Sequence, residues 1–470
     1  MVERLARAFT PEVVGPVIGV DAGTVARLAR ELAAAPAAAV YGRIGTTTVE
    51  FGTLTSWLVD VLNILTGNLD RPGGAMFAKP ASGGKTTNGT PGKGRGVRLG
   101  RHASRVRGLP ESFGELPAVC LAEEIDTPGE GQVRALVTIG GNPALSLPNS
   151  DRLQQALPGL GFMVSVDPYI NETTRHADVI LPPPSALTKS HYDVVFYQVA
   201  LRNVANYSPA VLPAAPGAME EWRIIARLAL IAQGLGAAAD PAIVDDIVVR
   251  TLIEGAGLDV DETLATLAPR TGPERILDLM LRTGPYELTL DELLEHPHGI
   301  DLGPLEPRIP DVLRTASSRI ELAAQPFLDD VPRLRAALDR QRNGGFVLIG
   351  RRHLRSNNSW MHNVNVLMKG KARCTLQIHP DDAARLGLGD TAKVSSHSGS
   401  VLAPVEVTDS VMPGVVSLPH GWGHDLDGVE MQVARRHAGV NSNVLADDTL
   451  FDALSGNAVL NGIPVDVSPA

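Results

Sequence analysis

Residues 133–184, VRALVTIGGNPALSLPNSDRLQQALPGLGFMVSVDPYINETTRHADVILPPP, decide how the rest of the chain is read. Ala135 to Ile139 has the length and residue types of a buried strand, and Gly140-Gly141-Asn142-Pro143 turns the chain sharply after it. A short helix is expected after Asn149 or Ser150, then a second strand from Phe162 to Val166 that ends on an acid, Asp167. A third apolar run, Ala177 to Leu181, stops at Pro182-Pro183-Pro184. Strand, glycine turn, helix, strand and acid follow in the order of a nucleotide-binding α/β unit. Glycines let a backbone approach a phosphate, and a carboxylate at the end of the next strand can hold a ribose or a guanine edge. The turn is not a G-x-G-x-x-G fingerprint, so an ordinary α/β crossover fits the same pattern.

Around this unit the chain has room for two to four domains in its 470 residues. Its 44% hydrophobic and 20% charged content is that of a soluble globular protein. A net charge of −10 argues against nucleic acid or an anionic membrane surface as the main partner. Cys120 and Cys374 are the only cysteines, and no C-x-x-C occurs. That excludes a disulfide framework, a thiolate zinc site and a chain-supplied four-cysteine iron–sulfur cluster. No apolar run reaches the roughly 18 residues of a membrane span, and the start lacks a signal-peptide core, so a cytoplasmic location is expected.

Ahead of the central unit, Asp21 to Ala35 reads as a helix that Asp21 or Thr24 caps, and Ala37 to Tyr41 as a short buried strand. Leu54, Trp57, Leu58, Val61, Leu62 and Leu65 form one helical stripe, expected to pack in the core. Lys79 to Pro110 is glycine-rich and basic, with no acid. Lys85-Thr86 suggests a phosphate loop, but Lys79 stands where that motif needs glycine. A long mobile loop or an anion-gripping strip remains. After the unit, helices are expected at Glu220 to Leu235, at Ala242 to Ile253, at Leu290 to Glu295 behind a Thr289/Glu292 capping box, and at Val331 to Arg342. From Phe346 the texture changes to short β-runs: Phe346–Ile349, Thr375–His379, Thr391–Ser396, Val401–Val407 and Val415–Leu418. A closed barrel or a sandwich fits them, with a domain boundary near Gly344. The expected architecture is α/β: a nucleotide-binding parallel-sheet region over residues 1–343, helical from about 220, then a β-barrel domain over 344–470.

Several phrases, taken in order, resemble the molybdopterin oxidoreductase family, which contains dimethyl sulfoxide reductases, formate dehydrogenases and nitrate reductases. They are FTPEVVGPVIGVDAGTVARLARELA, YGRIGTTT with LNILTGNLDRPGGAMF, IGGNPALSLP, VDPYINETTRHADVILP, IGRRHLRSNNSWMHN, and LPHGWG with GVNSNVL. The resemblance implies a molybdenum-bearing molybdopterin guanine dinucleotide, a pterin dithiolene joined by a pyrophosphate to guanosine. It implies an oxidoreductase acting on a small-molecule redox substrate, with an electron-transfer partner.

Carried onto this chain, the resemblance places Gly141, Asn142 and Pro143 against the dinucleotide backbone, with Asp167 at the guanine or ribose and Thr173 beside it. A strand-end acid capping the next turn is the plain alternative for Asp167. Glu220 matches an acid near the nucleoside in relatives, and equally a helix start. Gly350 to Trp360 resembles a loop folded over pterin and pyrophosphate. There Arg351 and Arg352 would pair with phosphates, while Asn358 and Ser359 would meet a polar pterin edge. A solvated surface pair is the alternative for the two arginines. His420, Gly421 and Asn443 match pterin-contacting positions, and Gly42, Arg43 and Thr46 belong to a segment facing a second dinucleotide. His424 and His437 match nothing in the family pattern and read as structural or surface histidines.

The family pattern is broken at one end. Complete relatives carry a [4Fe–4S] segment and the protein ligand to molybdenum ahead of the part matched here, and neither cysteine of this chain falls at a ligand position. The expectation is therefore the C-terminal two-thirds of such an oxidoreductase, whether truncated or split, partnered with the missing N-terminal segment. Catalytic residues are not identified. A non-catalytic remnant or subunit that binds the dinucleotide or a partner chain is the alternative, and a nucleotide-binding protein of another α/β family is a third.

Overall fold

A computed structural model describes residues 1–94, 96–338, 340 and 345–470. The expected boundary at Gly344 and the expected helix end at Arg342 lie outside the described residues. Two bodies organise the rest: a parallel sheet with its helices, and a closed barrel.

A hairpin, β1 (Leu99–Ala103) with β2 (Pro110–Ser112), precedes the sheet. The sheet is β3 (Ala135–Ile139), β4 (Phe162–Val166) and β5 (Val179–Ile180), all parallel, in the order 3-4-5. β3 and β4 run in register from Ala135 against Phe162 to Ile139 against Val166, so their carboxyl ends are level. Helix Ser150–Ala156 and helix Leu121–Asp126 close one face, burying Ile125, Leu153, Leu157 and Met163 to 1% exposure. The other face of β3 leaves Val137 and Ile139 about half exposed. Two short pairs follow, β6 (His191–Tyr192) with β8 (Tyr207–Ser208) and β7 (Val204–Ala205) with β9 (Ile300–Asp301).

The barrel is built from β10 (Phe346–Arg351), β11 (Leu376–Ile378), β12 (Thr391–Ser395), β13 (Ser400–Val407), β14 (Val415–Pro419) and β15 (Ile463–Pro469). It closes in the order 10-14-11-13-12-15. Period-two alternation aims Leu348, Leu376, Ile378, Val394, Val416, Leu418 and Val465 into a common core. Five of the strands match the β-runs of the sequence. The closing strand β15 was not expected: its prolines 464 and 469 disguise the buried alternation of Ile463, Val465 and Val467.

Four expectations need correction. Ala37 to Tyr41 forms no strand: it is extended and largely exposed, and its backbone is held by amide side chains. Asn68 accepts from Ala38 N at 3.1 Å, while Asn63 accepts from Val40 N and donates to Val40 O, both at 2.9 Å. In helix Gly52–Leu65, Leu54 and Val61 are buried and Trp57 stacks on Phe327, but Leu58, Leu62 and Leu65 are exposed at 41, 43 and 65%. The packing helix Gln325–Leu338 covers only the Trp57 side of the stripe. The end of the basic stretch 79–110, of which Arg95 is not described, is no anion strip. Arg101 pairs with Glu111, Arg105 with Glu124 at 3.2 Å and Arg107 with Glu123 at 2.6 Å, which neutralises three buried acids. The last helix before the barrel starts at Gln325, earlier than Val331, and runs through Pro332. Helices Val260–Leu267 and Gly272–Arg282 lie between the expected helices of this region.

The expected Asp21 cap is present, with its carboxylate accepting from Thr24 N at 2.8 Å, as is the Thr289/Glu292 capping box. Among the described residues no helix is long and apolar enough to cross a membrane.

Candidate functional site: a cleft between sheet and barrel

One wall of the cleft grows from the carboxyl ends of β3 and β4, where ligands of open α/β sheets bind. Gly140 continues the ladder by donating to Val166 O at 3.0 Å, with φ of 61°. A Cβ added there would lie 3.3 Å from the Trp360 ring, so glycine lets that indole lie against the turn. Gly141 and Asn142 follow, and Pro143 opens the one-turn helix Pro143–Ser146. Asn142 is clamped from behind. Its Nδ2 donates to Glu172 Oε2 and its Oδ1 accepts from Thr173 Oγ1, both at 2.7 Å. Thr173 is fully buried and also accepts from Ala144 N at 3.0 Å. It supports Asn142 and does not reach the cleft.

Asp167 accepts from Tyr169 N at 2.8 Å and from Asn171 Nδ2 at 3.3 Å, which is the turn-capping role. It also lines a side niche of about 30 Å³ with Tyr169, Gly141 and Trp360. Burial pushes its carboxyl above the usual range against the pull of those two bonds.

The second wall grows from another parallel pair. β10 and β14 run side by side and end together, Arg351 against Pro419. The segments that leave them pack on each other: His420 N donates to Arg351 O at 3.1 Å. A Cβ on Gly421, whose φ is 90°, would sit 2.5 Å from Asn358 O. Asn357 and Asn358 both take left-handed backbone, with φ of 41° and 59°, which asparagine tolerates best after glycine.

The two arginines separate. Arg351 turns into the barrel, where Nη1 donates to Ser417 O at 2.9 Å and Nη2 donates to Arg373 O at 3.1 Å and to Thr375 O and Oγ1 at 2.9 Å. Its guanidinium is occupied there and does not face the cleft. Arg352 does face it, donating to Asn358 Oδ1. Among the described residues no acid lies within ion-pair distance of Arg352. Burial against the walls lowers the Arg352 pKa, and burial together with the Arg352 charge pushes the His420 imidazole down to about 4.

Between the walls lies a cavity of about 390 Å³, within the size range of small-molecule and cofactor sites. Gly140, Gly141, Asn142, Leu145 and Ser146 form one side, and Arg352, Asn358, Ser359, Trp360, His420 and Gly421 the other. Ile44, Thr48 and Leu460 close an end. The structure thus brings together seven of the residues singled out from sequence here, Gly141, Asn142, Arg352, Asn358, Ser359, His420 and Gly421, with Asp167 in the adjoining niche.

The remaining candidates sit elsewhere. Gly350 donates to Asn461 Oδ1 at 2.8 Å, on the outside of the barrel. Asn443 is buried and staples barrel to sheet by donating to Leu145 O at 2.8 Å. Pro143 shapes its helix start behind the wall. Gly42, Arg43 and Thr46 form a turn of their own, with Thr46 Oγ1 donating to Arg43 O at 2.7 Å, and their neighbours Ile44 and Thr48 line the cavity instead. Glu220 accepts from Trp222 Nε1 at 3.1 Å at its helix start, away from the cleft.

Sequence reasoning missed a group behind the cleft. His424, expected to be ordinary, is fully buried and joins Glu172 to His362 through two contacts of 2.8 Å. The sequence shows only a glutamate inside INETT and a histidine three residues beyond Gly421, and nothing in it joins them. Cys120 and Cys374 are both buried, with burial pushing the Cys374 thiol up to about 11. Among the described residues no three of His, Cys, Asp and Glu cluster as a metal site.

Residues 346–464 match the family model described as "Molydopterin dinucleotide binding domain", and residues 18–229 match "Molybdopterin oxidoreductase". Relatives include the assimilatory nitrate reductase catalytic subunit of Bacillus subtilis, 34% identical over 27% of this chain and 17% of its own length. The NADPH-Fe(3+) oxidoreductase subunit alpha of Geobacter sulfurreducens is 25% identical over 62% of this chain and 27% of its own length. The nitrate reductase of Symbiobacterium thermophilum is 25% identical over 86% of this chain and 54% of its own. The chain therefore spans at most about half the length of these relatives. Among solved structures, acetylene hydratase from Pelobacter acetylenicus superposes with a TM-score of 0.54 at 17% identity, over 77% of this chain and 47% of that one, a likeness of fold.

Proposed function

Because the chain belongs to the molybdopterin oxidoreductase family, we propose that its cleft holds one molybdopterin guanine dinucleotide between sheet and barrel, as part of a redox enzyme. The observation that carries this reading is the pairing of Arg352 with the Gly140-Gly141 turn across one cavity. A partly desolvated cation with no acid partner among the described residues calls for an anion, and the facing glycine turn leaves room for a pyrophosphate to come close. The donor set fits the group. Arg352 would hold the pyrophosphate, and Asn358, Ser359 and Asn142 would offer neutral hydrogen bonds to polar ring edges. Asp167, in its niche beyond Trp360, would accept from the guanine amino and ring N–H.

When bound, the metal–pterin group supplies the redox chemistry, and the protein binds, orients and tunes it. This chain's own residues then have three tasks. Arg352 neutralises the phosphates. Trp360, packed on Gly140, lines both the niche and the main cavity and would offer its ring face to the bound group there. His420 stays neutral beside Arg352, so it adds a hydrogen-bonding edge without a second charge. The electron partner and the small-molecule substrate belong to the whole enzyme and are proposed with it.

The test is chemical. The chain, purified from a host that makes the cofactor, is expected to release GMP and an oxidised fluorescent pterin in equal amounts, with molybdenum measured by mass spectrometry. Protein that folds but carries neither pterin nor GMP would overturn the proposal.

A further inference from the structure

Glu172, His424 and His362 form an unbroken line behind the cleft, and each is fully buried. His424 Nδ1 lies 2.8 Å from Glu172 Oε1, and His424 Nε2 lies 2.8 Å from His362 Nδ1. Each end of the line grips a different wall. Glu172 Oε2 accepts from Asn142 Nδ2 at 2.7 Å, and Asn142 lines the cavity on the sheet side. On the barrel side the His362 ring lies 4.2 Å from Trp422, which follows Gly421, and His362 N donates to Ser359 O at 3.1 Å. Ser359 and Gly421 both line the cavity.

Hydrogen counting limits what this line can be. Burial pushes the Glu172 carboxyl up, but the hydrogen bond and charge of His424 and the Asn142 amide outweigh it and hold the group below its usual range. As a carboxylate, Glu172 accepts, so His424 Nδ1 carries a hydrogen. One further hydrogen lies between His424 Nε2 and His362 Nδ1. If His362 supplies it, both rings are neutral and the Glu172 charge stands alone in the interior, a costly arrangement. If His424 supplies it, the His424 ring is the cation that balances Glu172, and His362 is the Nε2–H tautomer.

Burial foremost pushes the His362 ring down to about 3, so it stays neutral in both arrangements, and either one closes the same unbroken line of hydrogen bonds. Arg352 and His420 are the titratable groups on the cleft side of the barrel wall.

We propose that Glu172, His424 and His362 are positioning residues: a hydrogen-bonded strut that sets the spacing between Asn142 on one wall and the Ser359 and Gly421 turns on the other. Its role toward a bound dinucleotide rests on the reading of the cleft given above, but the strut itself does not.

The experiment therefore has two arms on the full chain. In the first, ¹⁵N-histidine spectra at pH 7, assigned with His424→Gln and His362→Gln, are expected to show as their signature one hydrogen shared between the two rings, read as a coupling across that hydrogen bond. Two uncoupled rings in the wild-type spectrum would overturn the strut without any variant having to fold. In the second arm, GDP binding is measured by calorimetry. Glu172→Gln is expected to weaken GDP by about tenfold or more, the scale of a lost charged hydrogen bond. Wild-type binding with unchanged affinity in a folded Glu172→Gln protein would also overturn it. The signature present with no GDP binding to wild type would support the strut and count against the dinucleotide reading instead.

Discussion

Arg351 and Arg352 are adjacent and identical in chemistry, yet the structure gives them opposite tasks, and exchanging each for alanine separates the two. Arg352→Ala removes the cation that faces the cavity and has no acid partner among the described residues. Its loss should cost the binding of a phosphate-bearing ligand about 1.5–3 kcal/mol, or about 10- to 150-fold in affinity. Because Arg352 keeps one side open to solvent and, among the described residues, donates a single hydrogen bond, to Asn358, the fold should lose under about 0.5 kcal/mol. Arg351→Ala does the reverse. It strips donors from Ser417 O, Arg373 O, Thr375 O and Thr375 Oγ1 inside the barrel wall. Leaving several half-buried acceptors unpaired should cost stability on the order of 3 kcal/mol, with the ligand affinity of the surviving folded protein near wild type. Urea unfolding gives the first quantity and GDP calorimetry under conditions where each variant is folded gives the second. The reasoning is refuted if folded Arg351→Ala loses GDP affinity as strongly as Arg352→Ala, or if Arg352→Ala binds GDP as wild type does.

Other perturbations follow from single contacts. Gly421→Ala places a methyl 2.5 Å from Asn358 O at a φ of 90°, so it should destabilise by about 2–3 kcal/mol and open the cleft; an unchanged urea midpoint would refute the packing. Acid should destabilise the fold through two histidines whose pKa values are depressed on folding, His362 to about 3 and His420 to about 4. Their contribution is complete above the unfolded value near 6.5 and fades as pH falls through 6.5 toward 4, by up to about 1.4 kcal/mol per pH unit for each group. His420→Gln should flatten that slope, and equal slopes in variant and wild type would count against it. Leu54→Ala, at 1% exposure, should cost about 2–5 kcal/mol, whereas Leu62→Lys on the exposed side of the same helix should change stability by less than about 0.5 kcal/mol.

What the sequence disclosed and what it hid follow a physical pattern. Order along the chain, the strand–turn–strand unit and five barrel strands were legible because they rest on local periodicity and on turn residues. β15 was hidden because its prolines mimic a loop, although both fall at its ends, Pro464 and Pro469. The Ala37–Tyr41 strand was wrongly expected because apolar content cannot show that Asn63 and Asn68 would take the place of a ladder. The helix stripe of Leu58, Leu62 and Leu65 was readable as amphipathic, but which part of it meets a neighbour depends on where Gln325–Leu338 lands, a contact across more than 250 residues. At the site, residue type identified the cation and the glycines, while the direction of each side chain remained tertiary information. That is why Arg351 and Arg352 looked alike, and why His424 and Glu172, 252 residues apart, were not joined.

One geometric fact gathers these observations. A parallel strand pair releases both of its following segments at the same end, so two loops emerge together and can pack on one another. β3 and β4 do this in the sheet, releasing the Gly140 turn beside Asp167. β10 and β14 do it in the barrel, releasing the Arg352 loop beside His420. The two sets of loops then meet through Trp360 on Gly140, so the cleft lies at the junction of two parallel-strand ends and not within either body. Separating the bodies would therefore abolish the site while leaving each core largely intact. A ligand that touches both walls must hold them together, and by linkage its binding should raise the cooperativity with which sheet and barrel unfold.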